Sequence, residues 1–105
     1  MTKDKNILLG QIENEITLLH RHVNLLNVII DKQPIGICRL SEITKIPNHK
    51  VRYSLRILEK EGLIEPSPTG ALATQGSKVF INDLRTFLKR VNQRIEKLEN
   101  TLKPR

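Results

Sequence analysis

Tryptophan is absent from this chain, and its aromatic side chains are Tyr53, Phe80 and Phe87 alone. Any core must therefore be aliphatic, and with 38% apolar residues it must also be modest. A small domain of this kind gains by burying further surface in an oligomer. A single cysteine, Cys38, excludes an intrachain disulfide and accords with a reducing compartment. Between Ile37 and Arg39 it reads as a small buried apolar residue rather than a catalytic thiol. No apolar run is long enough for a signal peptide or a membrane span, so the expectation is a soluble, cytoplasmic and nucleoid-associated protein without a membrane partner. Glycine-rich phosphate loops, nucleophile elbows and paired-carboxylate motifs are missing as well, and neither catalysis nor a cofactor is expected. His20 and His22 stand two apart on a helix, about 200° around it, which does not suit a shared metal ion.

What the chain does have is positive charge. Eighteen Lys and Arg against eleven Asp and Glu give a formal net charge of +7 and a pI near 9.9, which suits a polyanionic partner. The excess is uneven. Residues 1–32 carry four basic and four acidic side chains, whereas residues 33–62 carry six and three and residues 63–105 eight and four. Between Lys45 and Arg56 there are four basic residues and no acid.

Periodicity gives the organisation. From about Lys5 to Lys32 a proline-free segment places Leu9, Ile12, Ile16, Leu19, Val23, Leu26 and Ile30 at alternating spacings of three and four, the seam of a heptad helix. Leu25, Val28 and Ile29 widen the stripe towards its end, so that part must also face a globular core. Pro34 and Gly36 break the helix. A short helix follows, with Ser41 as its candidate cap and Leu40, Ile43 and Ile46 facing inward. Pro47-Asn48 starts the next helix, which runs to about Glu61 on a buried stripe of Val51, Leu55 and Leu58, and Gly62 stops it. Leu63-Ile64-Glu65 and Ala71-Leu72-Ala73 read as strands joined by a turn from Pro66 to Gly70. Thr74 then caps a last helix to about Leu102, where Ile81, Leu84, Leu88, Val91, Ile95, Leu98 and Leu102 repeat the heptad seam. The predicted fold is mainly α with a small β-hairpin: a winged helix-turn-helix whose long N- and C-terminal helices form a coiled-coil or helix-bundle dimer arm. Its expected divisions are an N-terminal helical extension at 1–20, the winged domain at 21–78 and a C-terminal dimerisation helix at 79–105.

The helix beginning at Asn48 carries the functional expectation. In a helix-turn-helix one helix braces a second, whose outer face enters the major groove. At 100° per residue from Val51, Leu55 and Leu58 fall at roughly 40° and 340°, the inner face. His49, Arg56 and Tyr53 fall at roughly 160°, 140° and 200°, with Arg52 and Lys50 flanking them at roughly 100° and 260°. Arg52 or Arg56 suits the two-pronged contact to guanine, Asn48 suits adenine or the backbone, and Tyr53 suits a phosphate or a thymine methyl. Lys45 and Lys50 suit phosphate neutralisation, which sets affinity and salt dependence. Ser41 and Thr69 complete the candidate DNA contacts.

The stretch Ile35 to Gly70, "IGICRLSEITKIPNHKVRYSLRILEKEGLIEPSPTG", resembles small archaeal winged helix-turn-helix proteins, most of them predicted transcriptional regulators. "LSEITKIP" and "HKVRYSLRILEKEGLI" carry the likeness. It implies a DNA-binding fold, with Asn48, His49, Lys50, Arg52 and Tyr53 where such proteins place base-reading residues. One departure matters: the hairpin tip here lacks the Arg or Lys that enters the minor groove in many winged helices. Contact by this wing is expected through Thr69, Ser67 or backbone N–H groups, or not at all.

The two seams imply helix pairing within one chain, between two chains, or both. Little apolar surface is left in the chain to cover Val91 to Leu102, and a lone two-helix arm exposes Phe87 and Leu18, so a homodimer is expected. Its seam residues are Leu9, Ile12, Ile16 and Leu19 on one helix and Leu84, Leu88, Val91, Ile95, Leu98 and Leu102 on the other. If the C-terminal helices are parallel, Arg94 and Glu99 form a cross-chain pair. Arg85, Lys89, Arg90 and Arg94 give the arm a basic flank. Two recognition helices on one DNA face would read half-sites about one turn apart. Three functions follow from this reading: a sequence-specific transcriptional regulator binding double-stranded DNA as a homodimer, an architectural chromatin-type protein with weak sequence preference, or a winged helix used for protein contacts. Arg, Asn and Tyr on one face favour the first. The sequence identifies no small-molecule effector.

Overall fold

A computed structural model describes residues 6–104 as six elements in the order α1 (Ile7–Lys32), α2 (Ile37–Thr44), α3 (Asn48–Lys60), β1 (Ile64–Ser67), β2 (Gly70–Ala73) and α4 (Gln75–Thr101). The expected start of the first helix at Lys5, like the outer ends of the 1–20 and 79–105 divisions, lies outside the described residues. Asn6 caps α1, its side-chain oxygen accepting from the Leu8 and Leu9 N–H groups.

α1, α2 and α3 pack on one another, and the hairpin closes the end of the bundle. Leu25, Leu26 and Ile29 of α1, Leu40 of α2 and Val51 of α3 are fully buried, joined by Leu58, Leu63 and Ile64. Each such side chain contributes about 1.5–3 kcal/mol by leaving water, so this aliphatic cluster is the main stabilising feature of the body. The widening of the α1 stripe at Leu25 and Ile29 is what turns that helix into the core. Helix-turn-helix and wing are present as the pattern implied.

The end of α3 is a Schellman motif. Gly62 sits at φ +77, its N–H donates to Glu59 O, and the Leu63 N–H reaches back to Leu58 O at 2.9 Å. β1 and β2 pair antiparallel from Ile64↔Ala73 to Ser67↔Gly70, so the connecting loop is only Pro68-Thr69, tighter than the expected Pro66–Gly70 turn. Ile35 adds a bridge on the outer side of β2, exchanging two backbone hydrogen bonds with Ala71. Gly70, at φ +133, makes that approach possible: a Cβ there would lie 2.5 Å from the Ile35 carbonyl carbon.

Several local expectations are corrected. Ser41 does not cap α2, because Gly36 is the cap residue and the helix begins at Ile37, which puts Ser41 in its last turns. Ile46 lies in the following turn, half-buried. Cys38 is exposed, since a helix starting at Ile37 turns Ile37 and Leu40 inward and Cys38 away. Leu55 is only partly buried, while Ser54 is fully buried, so the inner face of α3 centres nearer Val51 and Ser54 than the apolar stripe indicated. α4 meets the core through Phe80 and Ile81. Thr74 occupies the cap position of α4 without a side-chain capping bond; its hydroxyl instead donates to Gly62 O at 2.7 Å, joining the stop of α3 to the start of α4.

α1 and α4 do not pack along one another within the chain, and the described residues extend over 59 × 30 × 21 Å. The option of pairing the two long helices inside one chain is therefore not taken. Leu9, Ile12, Ile16, Leu88, Ile95, Leu98 and Leu102 stay exposed, while Leu19, Leu84 and Val91 are half-covered.

Candidate nucleic-acid interface

α3 begins at Asn48 because Pro47 fixes an extended cap and cannot itself donate a helical hydrogen bond. Its Lys50 and Val51 N–H groups turn back to Pro47 O at 3.0 Å, and no side chain caps the first turn. The preceding turn is held from inside. The Ser41 hydroxyl donates to Ile46 O, Thr44 donates to Leu40 O at 2.7 Å, and the Ile46 N–H donates to Thr44 Oγ1 at 3.3 Å. Ser41, expected at the DNA, thus spends its hydroxyl on the turn that sets the angle between α2 and α3.

Asn48, His49, Lys50, Arg52 and Arg56 are all exposed on α3, and Tyr53 is 44% exposed. No acidic side chain interrupts them between Lys45 and Glu59. All six α3 residues read from the sequence are thus exposed, spread around the helix from Asn48 and Arg52 on one side to Lys50 on the other. Lys45 stands at the C-cap of α2 in the left-handed region, φ +63, beside the start of α3. Thr69 lies apart, at the wing tip, where its N–H donates to Ser67 Oγ.

A polar junction behind α3 escaped the sequence pattern. Ser54 is fully buried against α1, where its hydroxyl lies 2.9 Å from Arg21 Nε and 2.8 Å from His22 Nδ1. Arg21 Nε–H can only donate, so the serine oxygen accepts from it, while the contact with His22 Nδ1 takes its direction from the imidazole tautomer: the hydroxyl donates when the ring proton is on Nε2 and accepts when it is on Nδ1. Burial pushes the His22 pKa below its ordinary value, and the neighbouring Arg21 charge lowers it further. The Arg21 guanidinium also lies 5.8 Å from the centre of the Tyr53 ring, and the His22 ring lies 6.2 Å from it at a tilt of 40°. From the sequence His22 is read only with His20, as a pair unsuited to a shared metal, and Arg21 is given no role. Only their contact with Ser54 brings them together, and a serine on the buried side of α3 is the signal that could have pointed to it.

This fold has a counterpart among solved structures. The activation domain of the phage T4 transcription factor MotA superposes with a TM-score of 0.55 at 25% identity, covering 69% of this chain and 77% of that one. No family model and no curated protein matches the chain. No helix among the described residues is long and apolar enough to cross a membrane.

The second exposed surface is apolar. On α4, Phe87, Val91, Ile95 and Leu98 line a shallow depression, with Arg94 at its side and Arg90 5.8 Å from the Phe87 ring centre. On α1, Ile12 and Ile16 continue the other seam outward from the body.

Proposed function

We propose that this protein is a non-catalytic transcriptional regulator that binds double-stranded DNA as a homodimer, with α3 in the major groove. The observation that carries the reading is the outer surface of α3: six exposed hydrogen-bonding or basic side chains, with no acid before Glu59 in the last turn, on a helix braced by α1 and α2. Arg52 and Arg56 suit guanine, Asn48 suits adenine, and Lys45 and Lys50 neutralise phosphates. With the short uncharged wing, α3 supplies nearly all of the base readout. The likeness of Ile35–Gly70 to archaeal winged-helix regulators and the similarity to a domain of a transcription factor support the same class.

The dimer reading rests on the uncovered seams. Residues 6–20 carry Glu13 and Glu15 with no Lys or Arg, whereas residues 85–103 carry six basic side chains and two acidic ones. Opposite charge favours the α1 seam of one protomer against the α4 seam of its partner over α4 against α4.

Selection of bound duplexes from random sequence, with bulk DNA as competitor, tests the proposal. An enriched pseudo-palindrome is the expected result. Retention without enrichment would make the protein architectural, and no retention at low salt would remove DNA from the account. In that last case protein contact becomes the function, a reading favoured by one observation: the structural counterpart is described as an activation domain.

A further inference from the structure

Beside α3, between the outer side of α1 and the α2–α3 turn, lies a groove of about 300 Å³. Thr17, His20, Arg21 and Asn24 form its α1 wall, and Lys45 and Lys50 stand opposite. None of its lining residues is acidic. Among the described residues the sole ion pair is Arg39–Glu42, so Arg21, Lys45 and Lys50 converge on this groove without carboxylate partners. Three like charges around one concavity repel one another, and an anion relieves that repulsion.

We infer that the groove seats a backbone phosphodiester of the bound duplex, making α1 a third DNA-contacting element. The inference rests on the DNA-binding reading of α3 and extends its footprint. Arg21 is built for this task. Its Nε is tied to the buried Ser54 hydroxyl and its plane lies near the Tyr53 ring, which fixes the guanidinium while its terminal nitrogens stay available. A pre-positioned guanidinium loses little freedom on meeting a phosphate, and its fork matches the phosphate oxygens. The uncapped first turn of α3 opens next to the same groove and adds the positive end of its dipole. The placement also agrees with the seam. Counting Leu9, Ile16 and Val23 as a and Ile12, Leu19 and Leu26 as d, Thr17 and Asn24 are b, His20 is e and Arg21 is f. The groove wall is therefore the side of α1 turned away from the dimer seam, and one helix serves both contacts without conflict.

The test is to put a negative charge on the α1 wall at exposed positions that make no side-chain hydrogen bond. Thr17→Glu and Asn24→Glu are compared with Asn92→Glu, which adds the same charge on exposed α4. With a selected duplex, each groove variant is expected to bind about tenfold more weakly than Asn92→Glu and to lower the salt slope by about one, with base preference unchanged. Equal affinities for groove and α4 variants, while the unmodified protein binds normally, would overturn the groove and leave α3 in place. Failure of the unmodified protein to bind any duplex would instead remove the reading on which the groove depends. Pyrophosphate distinguishes a DNA phosphate from a free one. Amide shifts at Arg21 and Lys50 that duplex abolishes support the assignment; saturation by pyrophosphate that leaves duplex binding unaffected would reassign the groove to a free anion.

Discussion

The winged body and the two arms are built from the same aliphatic residues to opposite ends. In the body, Leu25, Leu26, Ile29, Leu40 and Val51 share one closed cluster with no exposure at all. Along the arms, residues of the same kind at the same helical spacing stand open, Ile16 at 61% and Leu98 at 63% exposure. The difference lies in what surrounds the stripe. Around residues 25–29 the apolar face is broad enough to meet α2, α3 and β2, whereas a strict a/d seam is narrow and is matched by another seam. Stripe width therefore separates the helical segment that builds the body from the segments whose apolar residues stay uncovered.

That contrast can be broken by removing the same atoms from each region. Leu26→Ala is expected to cost about 2–5 kcal/mol, seen as a large drop in the denaturation midpoint at any protein concentration. Leu98→Ala should leave the unfolding of an isolated protomer almost unchanged and act on association, weakening the dimer in sedimentation. Equal effects from both would mean that α4 is part of the folding core. A smaller effect is expected at the junction between α1 and α3. Ser54→Ala leaves Arg21 Nε and His22 Nδ1 without their partner and should cost about 1–3 kcal/mol in chemical denaturation. If instead it stabilises the fold, the serine would be a packing defect and not a link.

The smallest effect concerns pH. His22 has a folded-state pKa below the 6.5 of the free side chain, so the unfolded chain takes up a proton first as pH falls. Its contribution to stability is complete above about pH 6.5 and is lost as pH drops through that value towards the lower folded-state pKa. Protonated His22 would hold a partly buried charge beside the Arg21 guanidinium. The denaturation midpoint should therefore fall between pH 7.5 and 5.5, and replacement of His22 by Gln should flatten that slope relative to the parent.

How far the sequence led depended on whether a feature is written as a pattern. The α3 surface, the Gly62 stop and both heptad seams are periodic or punctuated, and they emerge from spacing alone. Ile35 pairs with β2 through a single residue, too short for any alternation to betray. Ser54 belongs to the buried face of α3 but is polar, so an apolar stripe passes over it. Ser41 and Cys38 were misplaced because the start of α2 has no strong cap signal: Gly36 serves by its backbone alone. Arg21 was unreadable for a different reason. Its contacts are with two residues more than thirty positions away, and only the packing of α1 on α3 brings them together.

The bond from Thr74 to Gly62 O has a mechanical consequence. It clamps the root of α4 to the stop of α3, and the Gly76 backbone, where a Cβ would lie 3.2 Å from that same oxygen, leaves little slack. The end of α3 and the start of α4 are thus tied to each other at this one point. In the proposed dimer, joined through its arms, the separation of the two α3 helices is gauged by the arm. An insertion of one residue in α4 beyond Ile81 would rotate the outer seam by about 100° and change the spacing of the half-sites without altering a single base contact.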